Sequence, residues 1–107
     1  MLKTSLAIAR CVASCTCLAG ELILDATLVE VANAYGGASF AIKPTGGTGI
    51  CAGVPWIVFP EAKAKSSVTH KRAIATALLA FSAGKKVRIH NYESDSCLEA
   101  NFISVSN

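Results

Sequence analysis

This sequence predicts a mainly β domain with one helix, five strands and the helix in the order β-β-β-α-β-β. Three observations carry that expectation. Apolar residues recur with period two before residue 60 and again after residue 84, the signature of half-buried strands. Between them lies one stretch with helical spacing, Val68 to Ala83. Glycines and prolines fall in clusters that separate these segments instead of interrupting them.

The first strand runs from Glu21 to Ala34, with Thr27, Val29 and Val31 on one face and Leu28, Glu30 and Ala32 on the other. Tyr35-Gly36-Gly37 is a turn into a second strand, Ala38 to Lys43. Pro44 to Gly53 holds four glycines and reads as a flexible loop carrying Cys51. Trp56 to Phe59 forms the third strand, which Pro60 ends. The helix has Ser66 or Ser67 to cap its first amides and Gly84 to end it in a left-handed conformation. Its expected sheet-facing residues are Ile74, Ala77, Leu78 and Phe81. Leu79, Ala80 and Ala83 would leave a second apolar face, open to a neighbouring subunit in a homo-oligomer. After Gly84 the strand Lys85 to Tyr92 places Val87 and Ile89 inward and Lys86, Arg88, His90 and Tyr92 outward. A polar loop, Glu93 to Glu99, carries Cys97, and Asn101 to Val105 is the last strand. A helix between strands three and four of five is the order of a five-stranded OB-fold-like barrel.

The five cysteines divide the chain in a second way. Cys11, Cys15 and Cys17 crowd into a segment with Lys3 ahead of a mostly apolar stretch and Ala19-Gly20 before the polar Glu21, the order of parts in a signal peptide. The expectation is a leader over residues 1–19, cleaved after Ala19, followed by a single domain over residues 20–107. Val12-Ala13-Ser14-Cys15 also has the order of a lipid-modification signal, but the apolar stretch before it is short and contains Arg10. Cleavage after Ala19 leaves Cys51 and Cys97 as a pair, hence one disulfide in an oxidising, periplasmic or secreted, location. That bond closes a loop of roughly 47 residues, worth about 4 kcal/mol in the chain-entropy account. Loss of Lys3 and Arg10 lowers the net charge from +3 to +1. Such a balance does not suggest nucleic acid as a partner, because its binders carry a pronounced basic patch. No run reaches the length of a membrane span.

The block from Ala75 to Val105 carries a resemblance. Its small-residue helix running into Ala83-Gly84-Lys85-Lys86-Val87-Arg88-Ile89, its loop cysteine and its closing Phe102-Ile103-Ser104-Val105, together with Trp56-Ile57-Val58-Phe59-Pro60 and Cys51, resemble a family of small exported gammaproteobacterial proteins with no assigned function. More distantly, the Gly-Lys-Lys-Val-Arg-Ile strand after a helix is similar to the B subunits of subtilase-type five-B-subunit toxins. That likeness implies a disulfide-containing OB-fold that binds glycans as a pentamer. None of the toxin family's sugar contacts is carried over to this chain.

Several motifs lack the context that their chemistry needs. Gly46-Gly47-Thr48-Gly49 has no Gly-Lys-Ser/Thr ending and no helix after it, so it is not a phosphate loop. His70 and His90 sit in separate elements without nearby ligands in sequence, and no metal or other cofactor is expected. Glu93, Asp95 and Glu99 read as a solvated acidic turn, and Lys86, Arg88 and His90 as a solvated strand face. With no groupable acid, base and nucleophile, the expected class is a non-enzymatic binding module that takes a glycan, the alternative being an accessory protein that recognises an envelope protein. Tyr35, Trp56 and Tyr92 are the candidate ligand contacts, since an aromatic face suits a sugar ring.

Overall fold

The computed structural model describes residues 20–33 and 38–107, so the expected leader over residues 1–19 and the candidate Tyr35 lie outside the described residues. Its elements are β1 (Glu21–Asn33), β2 (Phe40–Thr45), β3 (Ile57–Phe59), a 3-10 turn (Glu61–Lys63), α1 (Ser67–Ala83), β4 (Lys86–His90) and β5 (Phe102–Ser106). The order is the expected β-β-β-α-β-β, mainly β with one helix among the described residues. Every strand pair is antiparallel, in the sheet order β3-β2-β1-β4-β5. The two edges then meet. The Val58 N–H donates to the Cys97 carbonyl at 3.0 Å and the Val58 carbonyl accepts from the Ala100 N–H at 2.9 Å, so the segment entering β5 closes against β3 as in a small barrel.

Central β1 makes this closure feasible by serving both halves of the sheet. Its first half pairs with β4 and its second with β2, and register shifts fall between Ile23 and Ala26 and between Leu28 and Glu30. Asp25 takes a left-handed φ of 61° inside the first irregularity, a conformation that an aspartate tolerates better than most residues. Such bulges bend a strand and re-phase its faces. The simple alternation expected for Thr27 to Ala32 is therefore corrected: Leu22, Ile23, Ala26 and Leu28 are buried, whereas Val29 is exposed.

The glycine segment after β2 also differs from the expected flexible loop. Leu24 and Thr48 exchange backbone hydrogen bonds at 2.8 and 3.0 Å, and the Cys51 N–H donates to the Leu22 carbonyl at 2.8 Å. At Gly49 (φ 127°) a Cβ would stand 2.6 Å from the Leu22 carbonyl oxygen, so only glycine lets the segment lie this close to β1. Cys51 is thereby buried and joined to Cys97, the expected disulfide, which fastens this segment to the loop that closes on β3.

Helix α1 starts where Ser66 Oγ accepts from the Thr69 N–H and stops at left-handed Gly84, as its capping residues predict. Its inward face differs from the expected one. His70, Ala77 and Ala80 are buried against the barrel, while Leu78 and Phe81 are exposed together with Leu79. Ala77 and Ala80 join the same buried cluster as Ile23, Ile42, Phe40, Phe59 and Ile89, and small alanines let the helix come close to the sheet. Phe40 and Phe59 stack at 4.6 Å, and His70 packs on Phe40 with Nε2 2.7 Å from the Ala38 carbonyl, which makes it an Nε2–H donor to the chain entering β2. This histidine is part of the core.

Candidate functional site

The outward face of β4 and β5, with the loops around it, gathers the chemistry-bearing side chains. Antiparallel register sets His90 opposite Phe102 and Arg88 opposite Ser104, on the side away from Val87 and Ile89. Glu21 pairs across from His90 on the other edge of β4. Its carboxylate accepts both Arg88 Nε at 2.9 Å and Arg88 Nη2 at 3.0 Å, and lies 3.2 Å from His90 Nδ1. The paired guanidinium holds the Glu21 carboxyl below the usual glutamate range against the opposing effect of desolvation, with His90 adding to the lowering. Lys86 and Arg88 are exposed as expected of a solvated face, although Arg88 is paired with Glu21; the expectation is corrected for His90, which is half-buried against the same carboxylate. The Glu21 carboxylate, held by Arg88 and His90, thus anchors the start of β1 to β4.

That anchoring has a pH consequence. A carboxyl whose folded pKa is depressed contributes stability that is fully present above its unfolded value, about 4.3, and is lost as pH falls through the folded value. Glu21→Gln is expected to be less stable than wild type at pH 7, with the gap closing as pH drops below about 4.3. Urea midpoints for both proteins at pH 7 and pH 3 check this, and a gap of constant size would contradict it.

Beyond His90 the rings continue outward. His90 and Tyr92 lie 4.6 Å apart, Tyr92 meets Phe102 edge-on at 5.7 Å, and Arg88 sits 5.8 Å over the Phe102 ring. Tyr92 is nonetheless 68% exposed. Its position is set by the backbone: the Tyr92 N–H donates to Asn101 Oδ1 at 3.0 Å. Buried Asn91 holds the loop beyond it, accepting on Oδ1 from the Glu93 and Ser94 N–H groups at 2.9 and 3.0 Å and donating from Nδ2 to Ser94 Oγ and the Ser96 carbonyl.

Tyr92 and Phe102 form one wall of a groove of about 460 Å3, whose other wall is the 3-10 turn and the start of α1, with Lys63, Lys65 and Thr69; Asn101 and Glu93 also line it. Lys63 Nζ reaches Glu93 at 3.7 Å and Glu99 at 3.9 Å, so the expected solvated acidic turn pairs partly across the groove. Of the expected contacts, Tyr92 is on this groove. Trp56 is half-buried just before β3 and does not line it, and Tyr35 lies outside the described residues. Phe102, Asn101 and Lys63 were not singled out by sequence. The period-two pattern could place Phe102 on a strand, but its meeting with His90 needs the β4–β5 register. Among the described residues no group of three or more histidine, cysteine or acidic side chains is placed to hold a metal ion.

Fold and groove together define a small disulfide-bonded β-barrel of OB-fold type with an exposed aromatic groove beside its β4–β5 loop. The chain belongs to the Family of unknown function (DUF5992), whose model matches residues 2–107. No curated protein and no solved structure gives a significant match.

Proposed function

We propose that this chain is an exported, non-enzymatic binding domain, with a leader cleaved after Ala19, that takes a glycan in the groove beside Tyr92. The observation that carries the reading is Tyr92 itself, two-thirds exposed yet fixed by Phe102, His90 and Asn101 at the edge of a groove with lysine, threonine and asparagine side chains. A rigid apolar ring face bordered by hydrogen-bonding groups suits a sugar, whose own faces alternate between C–H and hydroxyl surfaces. The disulfide is compatible with an oxidising, exported environment. The likeness of the strand entry Gly84 to Ile89 to glycan-binding toxin B subunits supports the same ligand class.

A glycan-array screen of the purified protein is the direct test, followed by calorimetry on any hit. Tyr92→Ala is expected to weaken binding roughly 5- to 150-fold, about 1–3 kcal/mol, by analogy with aromatic platforms in other grooves. Unchanged affinity in a folded Tyr92 variant would move the site elsewhere. The second reading, an accessory protein that recognises an envelope protein, rests on the exposed Leu78, Leu79 and Phe81 near the end of α1. It predicts a blank array and a protein partner lost on Leu79→Glu. A second copy of the chain would instead appear as an oligomer in sedimentation, dissociated by the same substitution.

A further inference from the structure

We propose that the mature chain begins at Gly20 and that its freed α-ammonium docks on the Asp95 carboxylate, locking the loop that carries Tyr92. The inference rests on the reading that the leader is cut after Ala19. Three features of Gly20 point to it. Its backbone nitrogen already donates to Asp95 Oδ1 at 2.7 Å, across 75 residues of sequence. Its carbonyl accepts from the Asn91 N–H at 2.7 Å, so the residue is held on both sides immediately before β1 begins at Glu21. A Cβ at Gly20 would collide with the Asn91 carbonyl oxygen, which reserves the position for glycine.

Asp95 is suited to receive a charge. Among the described residues it forms no salt bridge with a side-chain cation, unlike Glu21, Glu93 and Glu99. Hydrolysis of the Ala19–Gly20 peptide bond by an export peptidase, with water as co-reactant, breaks the C–N bond. The water's hydroxyl goes to the Ala19 carbonyl carbon, and the Gly20 nitrogen gains protons to become an ammonium at neutral pH. A neutral amide donor is thereby replaced by a cation on the same acceptor, a shorter and stronger class of hydrogen bond. A cleft of about 130 Å3 lined by Gly20, Asn91, Tyr92, Glu93, Ser94 and Asp95 leaves room for water on the remaining ammonium protons. Processing would in this way tighten the same loop that Asn91 organises and that presents Tyr92 to the groove.

The test uses the full chain expressed for export and its purified product. Intact-mass analysis reads the first residue, and the α-amine is titrated by NMR after 13C-methylation, in wild type and in Asp95→Asn. Asparagine keeps the acceptor oxygen and removes the charge; a circular-dichroism spectrum matching wild type establishes its fold. The expected result is a first residue of Gly20 with an α-amine raised by about 1 unit above its ordinary range, returned to that range by Asp95→Asn. A mature chain starting elsewhere, or lipid-modified at Cys15, overturns the cleavage reading and the docking with it. A chain starting at Gly20 whose α-amine titrates alike in both proteins overturns the docking alone.

Discussion

Reduction of the Cys51–Cys97 disulfide is expected to cost about 4 kcal/mol and to lower Tm by about 15–30 °C. The size follows from topology. The bond spans 46 residues, including β3, α1 and β4, and it ties the glycine segment on β1 to the loop that closes the barrel against β3. Without it, the unfolded chain regains the freedom of that long loop, and the native seam is left with the two Val58 backbone bonds and the packing of Cys51 and Ala100. The net stability of a small domain is about 5–15 kcal/mol, so the loss is a large share of it. Calorimetry with and without reductant, repeated on a Cys51→Ala, Cys97→Ala double variant, measures the effect. An unchanged Tm, or two thiols that alkylate in the native, unreduced protein, would refute it.

Ala80→Glu is expected to unfold the domain or destabilise it by about 3–5 kcal/mol, the range seen when a buried charge is left uncompensated. Ala80 is 1% exposed and packs in the core cluster, whose members supply no cation. The added volume acts in the same direction, because the site is filled by the close approach of helix to sheet. Leu79→Glu, one position away and 56% exposed, is expected to change stability by less than about 0.5 kcal/mol. The pair of substitutions separates the two faces of α1 in a single urea-denaturation experiment. Equal stability of both variants would place Ala80 at the surface, as the sequence-based reading of the helix had it.

The sequence by itself determined the element order, the helix ends and the disulfide pair. Those depend on local or countable properties: period two in Val87 and Ile89, a serine able to cap at Ser66, a left-handed glycine at Gly84, and two cysteines left after the N-terminal three. Only the tertiary structure decided which face of α1 is inside, since alanine and leucine both count as apolar and the separation between helix and sheet selects the smaller. It also decided the faces of β1, because a bulge at Asp25 shifts alternation by steps that no periodicity reports. The glycine segment became a paired edge for the same kind of reason, its partner Leu24 lying 24 residues earlier. The groove was half legible: Tyr92 stands out as an aromatic at the end of an outward strand face, whereas Phe102, Asn101 and Lys63 join it through strand register and a cross-loop approach. Contacts made across long sequence separations are chosen by the whole chain's packing, and a local pattern carries no record of them.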